Sequence, residues 1–195
     1  MIATMTIIIA QKTTTGVLLA ADNHSHDGQR RTLKATPKLV QISPRVAYGT
    51  SGHTRLANIL RDKLDFPVPD DYVEKSKEMV LDIYECKLAA FFREIVKGEY
   101  PESKMWALIA VDDVIFDIGP DGGTIRVADP FTATGEAELV ALGALHALDA
   151  AGAMTTAFCN REIAEMMMTK ALNACAAFID SIRPPWTFVE TKKPV

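Results

Sequence analysis

The chain has 195 residues, 48% of them apolar, 7% aromatic and 24% charged, with a formal net charge of −4. That length suits one domain burying roughly 70% of its unfolded surface. The charge lacks the basic footprint of a nucleic-acid binder, and no apolar run approaches the ~20 residues of a bilayer-spanning helix, so neither partner is expected.

Residues 6–10, 17–21, 38–42 and 45–49 are short, largely β-branched apolar runs separated by turn residues, and they predict four antiparallel strands. The period changes over 53–64, where Leu56, Ile59, Leu60 and Leu64 fall on one helical face, and a longer helix is predicted over 72–96. FPVPDD separates the two helices, because proline removes a backbone donor. Strands are predicted again at 105–111, 114–118, 124–128 and 138–142, with the turn GPDGG among them. Helices are predicted over 143–153 and 160–182, ending at Arg183-Pro184-Pro185, and a last strand over 186–190. Groups of strands alternating with helix pairs predict an α+β fold, a four-layer αββα sandwich of two antiparallel sheets flanked by helix pairs. One domain covers 6–190, with 1–5 as an N-terminal extension or propeptide and 191–195 as a tail.

Cys86, Cys159 and Cys175 lie in helical patterns or beside them without metal-ligand spacing, which points to a reducing, cytoplasmic setting. His24-x-His26-Asp27 lacks a third partner at metal spacing, so no metal site is expected. Met166, Met167 and Met168 read as helix packing with one residue exposed, and His146 as a packed or surface histidine.

Thr6, Asp22 and Lys38 follow one another at intervals of sixteen residues. Singly they are ordinary: a strand-forming Thr, a turn-forming Asp and a strand-edge Lys. The segments around them are TMTIIIAQ, VLLAAD, TPKLVQI and YGTSG, followed later by MWALIAVDDVIFDIGPDGGTIRV, ELVALG and KALN. Together these make the chain resemble proteasome β subunits and the bacterial HslV peptidase over most of its length.

The resemblance implies an N-terminal nucleophile hydrolase: a threonine-type endopeptidase that cleaves amide bonds in peptides or proteins without a cofactor. Thr6 would supply the nucleophile and, once its α-amine is free, the general base, whose reference pKa of about 7.7–8.0 suits neutral pH. Lys38 would favour the deprotonated hydroxyl, Asp22 would hold the ammonium of Lys38, and Gly49 would offer its N–H to the oxyanion. Thr50 and Ser51 are expected at the substrate pocket, and Gly52 in the same turn permits a positive φ. The resemblance further implies six- or seven-membered homo-oligomeric rings and an ATP-dependent unfoldase as partner.

Three positions depart from the family pattern. Met5 stands where family propeptides end in Gly. While the Met5–Thr6 bond is intact the nitrogen of Thr6 is an amide and cannot act as a base, so activity requires its release. Translation from Met5 followed by methionine removal is one route. Ala144 stands where the resemblance places a Ser, after the glycine of a GSG turn, and Ala177 where it places an Asp. Asp180 and Ser181, three and four residues beyond Ala177, are candidate auxiliaries on the same helical face. The alternatives are a catalytically weak or inactive ring-forming subunit of the same fold, and a small-molecule amide hydrolase.

Overall fold

The computed structural model describes residues 6–26, 31–33, 37–52, 54–63, 76–99, 105–153 and 159–193. In chain order come β1 (Ile7–Lys12), β2 (Val17–Asp22), a short hairpin of β3 (His24–His26) and β4 (Arg31–Leu33), then β5 (Leu39–Ser43) and β6 (Val46–Gly52). Helices α1 (Thr54–Lys63) and α2 (Lys77–Glu99) follow, then β7 (Met105–Val111), β8 (Val114–Ile118), β9 (Thr124–Arg126) and β10 (Phe131–Gly135). Helix α3 (Glu138–Leu148), extended by a π-helical turn at Asp149–Ala153, leads to α4 (Arg161–Phe178) and β11 (Trp186–Glu190). The extension 1–5, Asp27, the FPVPDD segment and the predicted helical residues 53, 64 and 72–75 lie outside the described residues.

The first sheet has the order β10-β1-β2-β11 and the second β5-β6-β7-β8-β9, with every pairing antiparallel. Alternate side chains of β1 serve different layers. Ile7 and Ile9 pack with α3 and α4, whereas Ile8 and Ala10 meet the second sheet. Both faces of the strand are therefore buried, which is why β1 and β2 read as unbroken apolar runs. Helices α1 and α2 cover the outer face of the second sheet, where Leu60, Tyr84 and Phe92 meet Tyr48, Ile109 and Phe116. The four-layer αββα sandwich is thus complete. Among the described residues no helix is long and apolar enough to cross a membrane.

Two predicted elements change. The run 138–142 is the beginning of α3, not a strand, and the strand beside β1 is Phe131–Gly135. A continuous apolar run such as ELVALG fits either state by periodicity. Ala141 and Leu145, four residues apart, settle it by burying one helical face on the first sheet. The predicted helix over 160–182 also stops early, at Phe178, with Ile179 extended at φ −127°.

Candidate active site

Thr6 immediately precedes β1, and Asp22 ends the neighbouring antiparallel strand, in the register that pairs Ile8 with Ala21. Lys38 immediately precedes β5 in the other sheet. The sandwich therefore brings all three to one end, across the gap between its sheets. Lys38 Nζ donates to both carboxylate oxygens of Asp22, at 2.9 and 2.8 Å. The same carboxylate accepts the backbone N–H groups of Ile7 and His24, each at 3.2 Å. Asp22 is wholly buried and Lys38 nearly so. Removing two such charges from water costs several kcal/mol per ion unless their remaining hydrogen-bonding capacity is filled. Here the backbone amides complete the carboxylate's shell and lock the cation next to the strand that Thr6 opens.

Thr6 is itself buried, and its backbone is held on the other side. Its carbonyl accepts the N–H of Glu136 at 2.9 Å. Gly135 makes that approach possible: its φ is +121°, and a Cβ there would overlap the Thr6 carbonyl oxygen. The Glu136 carboxylate accepts a hydrogen bond at 3.0 Å from Ser181 Oγ, in the connection from α4 to β11. Behind the turn, Cys175 of α4 meets the Ala137 carbonyl at 3.8 Å. Burial, with the charge of Asp22 added, pushes this thiol up to about 11, so it stays neutral and does not compete as a nucleophile.

The turn expected at Gly143 and Ala144 is accordingly displaced. Gly143 lies inside α3, and a Cβ on it would meet nothing within 4 Å. The glycine turn beside Thr6 is Gly135-Glu136-Ala137. Its sequence signal is the Thr/Ala alternation of FTATG running into Gly135, followed by an acidic residue.

Gly49 lies within β6, opposite Leu39 on one side and Leu108 on the other. An added Cβ would stand 2.7 Å from Leu39 Cδ2 and 3.0 Å from Ile8 Cδ1, so the glycine allows the sheets to close here. Asp112 N–H donates to the Arg45 carbonyl at 2.8 Å, which sets the phase of the β6–β7 ladder. By the alternation of antiparallel pairs, Gly49 and Ser51 turn their amides toward β7, and Thr50 and Gly52 toward the β5 side. Strand β5 begins at Leu39, opposite Gly49, so β6 runs past it beside Lys38. Gly52, at the end of that edge, has φ +102°. Thr50 and Ser51 are buried there, and Ser51 Oγ has no hydrogen-bond partner among the described residues.

The remaining candidates separate. Ser181 is buried and reaches Glu136, whereas Asp180 faces solvent and pairs with Arg183. Ala177 is exposed on α4. His24 turns its ring Nδ1 to the Arg183 carbonyl at 3.1 Å. Met167 and Met168 are core residues, and Met166 is exposed.

The profile of the family described as Proteasome subunit matches residues 2–182. No curated protein sequence matches the chain. Among solved structures, BPH of Thiobacillus denitrificans superposes with a TM-score of 0.72 at 18% identity, covering 96% of this chain and 98% of that one. Eukaryotic HslV of Trypanosoma brucei gives a TM-score of 0.70 at 17% identity, with 95% and 99% covered. The Gly-1 mutant of Anbu from Hyphomicrobium sp. strain MC1 gives 0.71 at 14% identity, with 96% and 81% covered. These structures share the fold, and the profile spans every strand but β11 and all the candidate residues, so the chain belongs to the proteasome subunit family.

Proposed function

We propose that the protein is a threonine-type peptidase that uses Thr6 as an N-terminal nucleophile once residues 1–5 are removed. The observation that carries this reading is the buried Lys38–Asp22 pair, whose carboxylate also holds the Ile7 amide beside a buried Thr6 with a pinned carbonyl. In the reaction the freed amine takes the hydroxyl proton of Thr6, and the oxygen attacks the substrate carbonyl. The fixed charge of Lys38 lowers the cost of the developing alkoxide, and Asp22 keeps that charge in place. The oxyanion lies against the edge of β6, where the amide of Gly52 takes the role first expected of Gly49. Collapse expels the leaving amine with the transferred proton, and water then hydrolyses the ester on Thr6. Thr50 and Ser51 line the pocket at the same edge.

BPH, which shares this fold, has been solved in complex with epoxomicin, and that compound is therefore a suitable probe for a freed Thr6. The subunits are read as forming homo-oligomeric rings, which native mass spectrometry tests through multiples of the 21.3 kDa chain. A ring-forming subunit without turnover is the second reading, favoured by the methyl group of Ala177 and by the solvent-facing Asp180. A chain beginning at Thr6 separates the two. The peptidase hydrolyses fluorogenic peptides, and both Thr6→Ala and the chain retaining residues 1–5 do not. A folded Thr6 chain without hydrolysis supports the second reading.

A further inference from the structure

We propose that Glu136 is a positioning residue for the α-amine of Thr6: its carboxylate, held by Ser181, is the negative charge against which the freed ammonium seats. This rests on the reading of Thr6 as the N-terminal nucleophile. Glu136 extends the register that pairs Ile7 with Gly135, so it stands opposite Thr6, and its N–H on the Thr6 carbonyl keeps it there. Gly135 lets the turn sit this close to Thr6, because only a glycine fits over that carbonyl. The side chain of Glu136 is exposed, yet it is tethered by a hydroxyl from a residue that is only 3% exposed. Pinning a long surface side chain costs rotamer entropy, so a buried donor committed to it marks a carboxylate with a defined position.

Charge balance singles out the same group. Asp22 is matched by Lys38, and Asp180 by Arg183. Among the described residues no basic side chain pairs with Glu136. The buried Cys175 thiol is neutral, and the His24 ring is turned to the Arg183 carbonyl. Proteolytic or co-translational release of Thr6 puts a cation into this corner, where Glu136, hydrogen-bonded through its own N–H to the Thr6 carbonyl, is a carboxylate without a basic partner among the described residues.

A carboxylate beside an ammonium favours the charged form and raises the pKa of the amine, by about 1–3 units at close range and less where solvent and salt screen it. Glu136→Gln keeps the N–H on Thr6 and an acceptor for Ser181 and removes only the charge. The test is competitive acetylation of the α-amine in a chain beginning at Thr6, read by mass spectrometry of the N-terminal peptide across pH values bracketing the reference amine pKa of about 7.7–8.0. In Glu136→Gln the amine midpoint is expected to fall by about half a unit or more, with a narrower gap at high salt. Ser181→Ala, which frees the carboxylate, is expected to fall part of the way, and Glu136→Asp to stay nearer the parent. An unchanged or raised midpoint in Glu136→Gln overturns the proposal. Should that variant not fold, an unchanged midpoint in Ser181→Ala overturns it. Peptide hydrolysis measured in parallel keeps the two ideas apart. A parent without turnover whose amine midpoint still shifts contradicts the peptidase reading alone, and active enzymes with coincident midpoints contradict the role of Glu136 alone.

Discussion

Asp22 joins three parts of the chain through one carboxylate: Ile7 of β1, His24 of β3 and Lys38 at the head of β5. Removing only the cation leaves a buried anion, and breaking such a pair costs about 3–5 kcal/mol. Lys38→Met should therefore lose stability in that range in urea titration. Adding Asp22→Asn, whose single carbonyl oxygen keeps an acceptor for one of the two amides while the buried charge is removed, should recover part of the loss, and a further additive loss would show that the pair is not coupled. Asp117 behaves in the opposite way. Burial, and then the charge of Glu138, pushes its carboxyl up from 3.8 to about 6. A raised folded pKa means that the native state binds the proton more tightly, so this contribution is complete below the unfolded value and is lost as pH rises through about 6. Asp117→Asn should match the parent in stability near the unfolded pKa of about 4 and exceed it at neutral pH by about 1–2 kcal/mol, discounted for partial exposure. Denaturant midpoints measured at both pH values decide it, and a variant no more stable at neutral pH would refute the assignment.

At the scale of elements, the two glycines near α3 should respond in opposite directions. Gly135→Ala forces a side chain into a left-handed backbone against the Thr6 carbonyl, and should cost at least about 2 kcal/mol. Gly143→Ala adds a methyl group in open space within a helix and should gain about 0.5–1 kcal/mol. Thermal unfolding of the two variants checks both signs. The contrast also shows which parts of the fold were legible in the sequence. Strands β1 and β2 could be read because both their faces are buried, and the even spacing of Thr6, Asp22 and Lys38 survives folding as a buried cluster. The glycine turn could not be placed by pattern. An apolar Ala/Leu run is helix or strand according to what it packs against, and FTATG becomes a strand by pairing with β1. Nor does a run of four residues, Gly49 to Gly52, say which amides point to the site. The partner strand fixes that phase. The contact from Ser181 to Glu136 spans 45 residues of sequence and exists only once α4 has packed on the first sheet.

For the whole molecule, the sandwich leaves Thr6, Lys38 and the end of β6 at one end of two sheets whose faces are covered by helices or by each other. On the proposed reading the rest of the fold is a frame for this corner, and chemistry depends on a single covalent event, the exposure of the Thr6 amine. A hydroxyl and an amine on one residue are what a peptide epoxyketone such as epoxomicin captures. The decisive measurement is intact mass after incubation with that compound, followed by peptide mapping, on the chain beginning at Thr6, its Thr6→Ala variant and the chain that retains residues 1–5. One adduct per chain, mapped to Thr6 in the first protein and absent from the other two, is the predicted result. No adduct in the folded Thr6 chain, or an adduct that persists in Thr6→Ala, would contradict it.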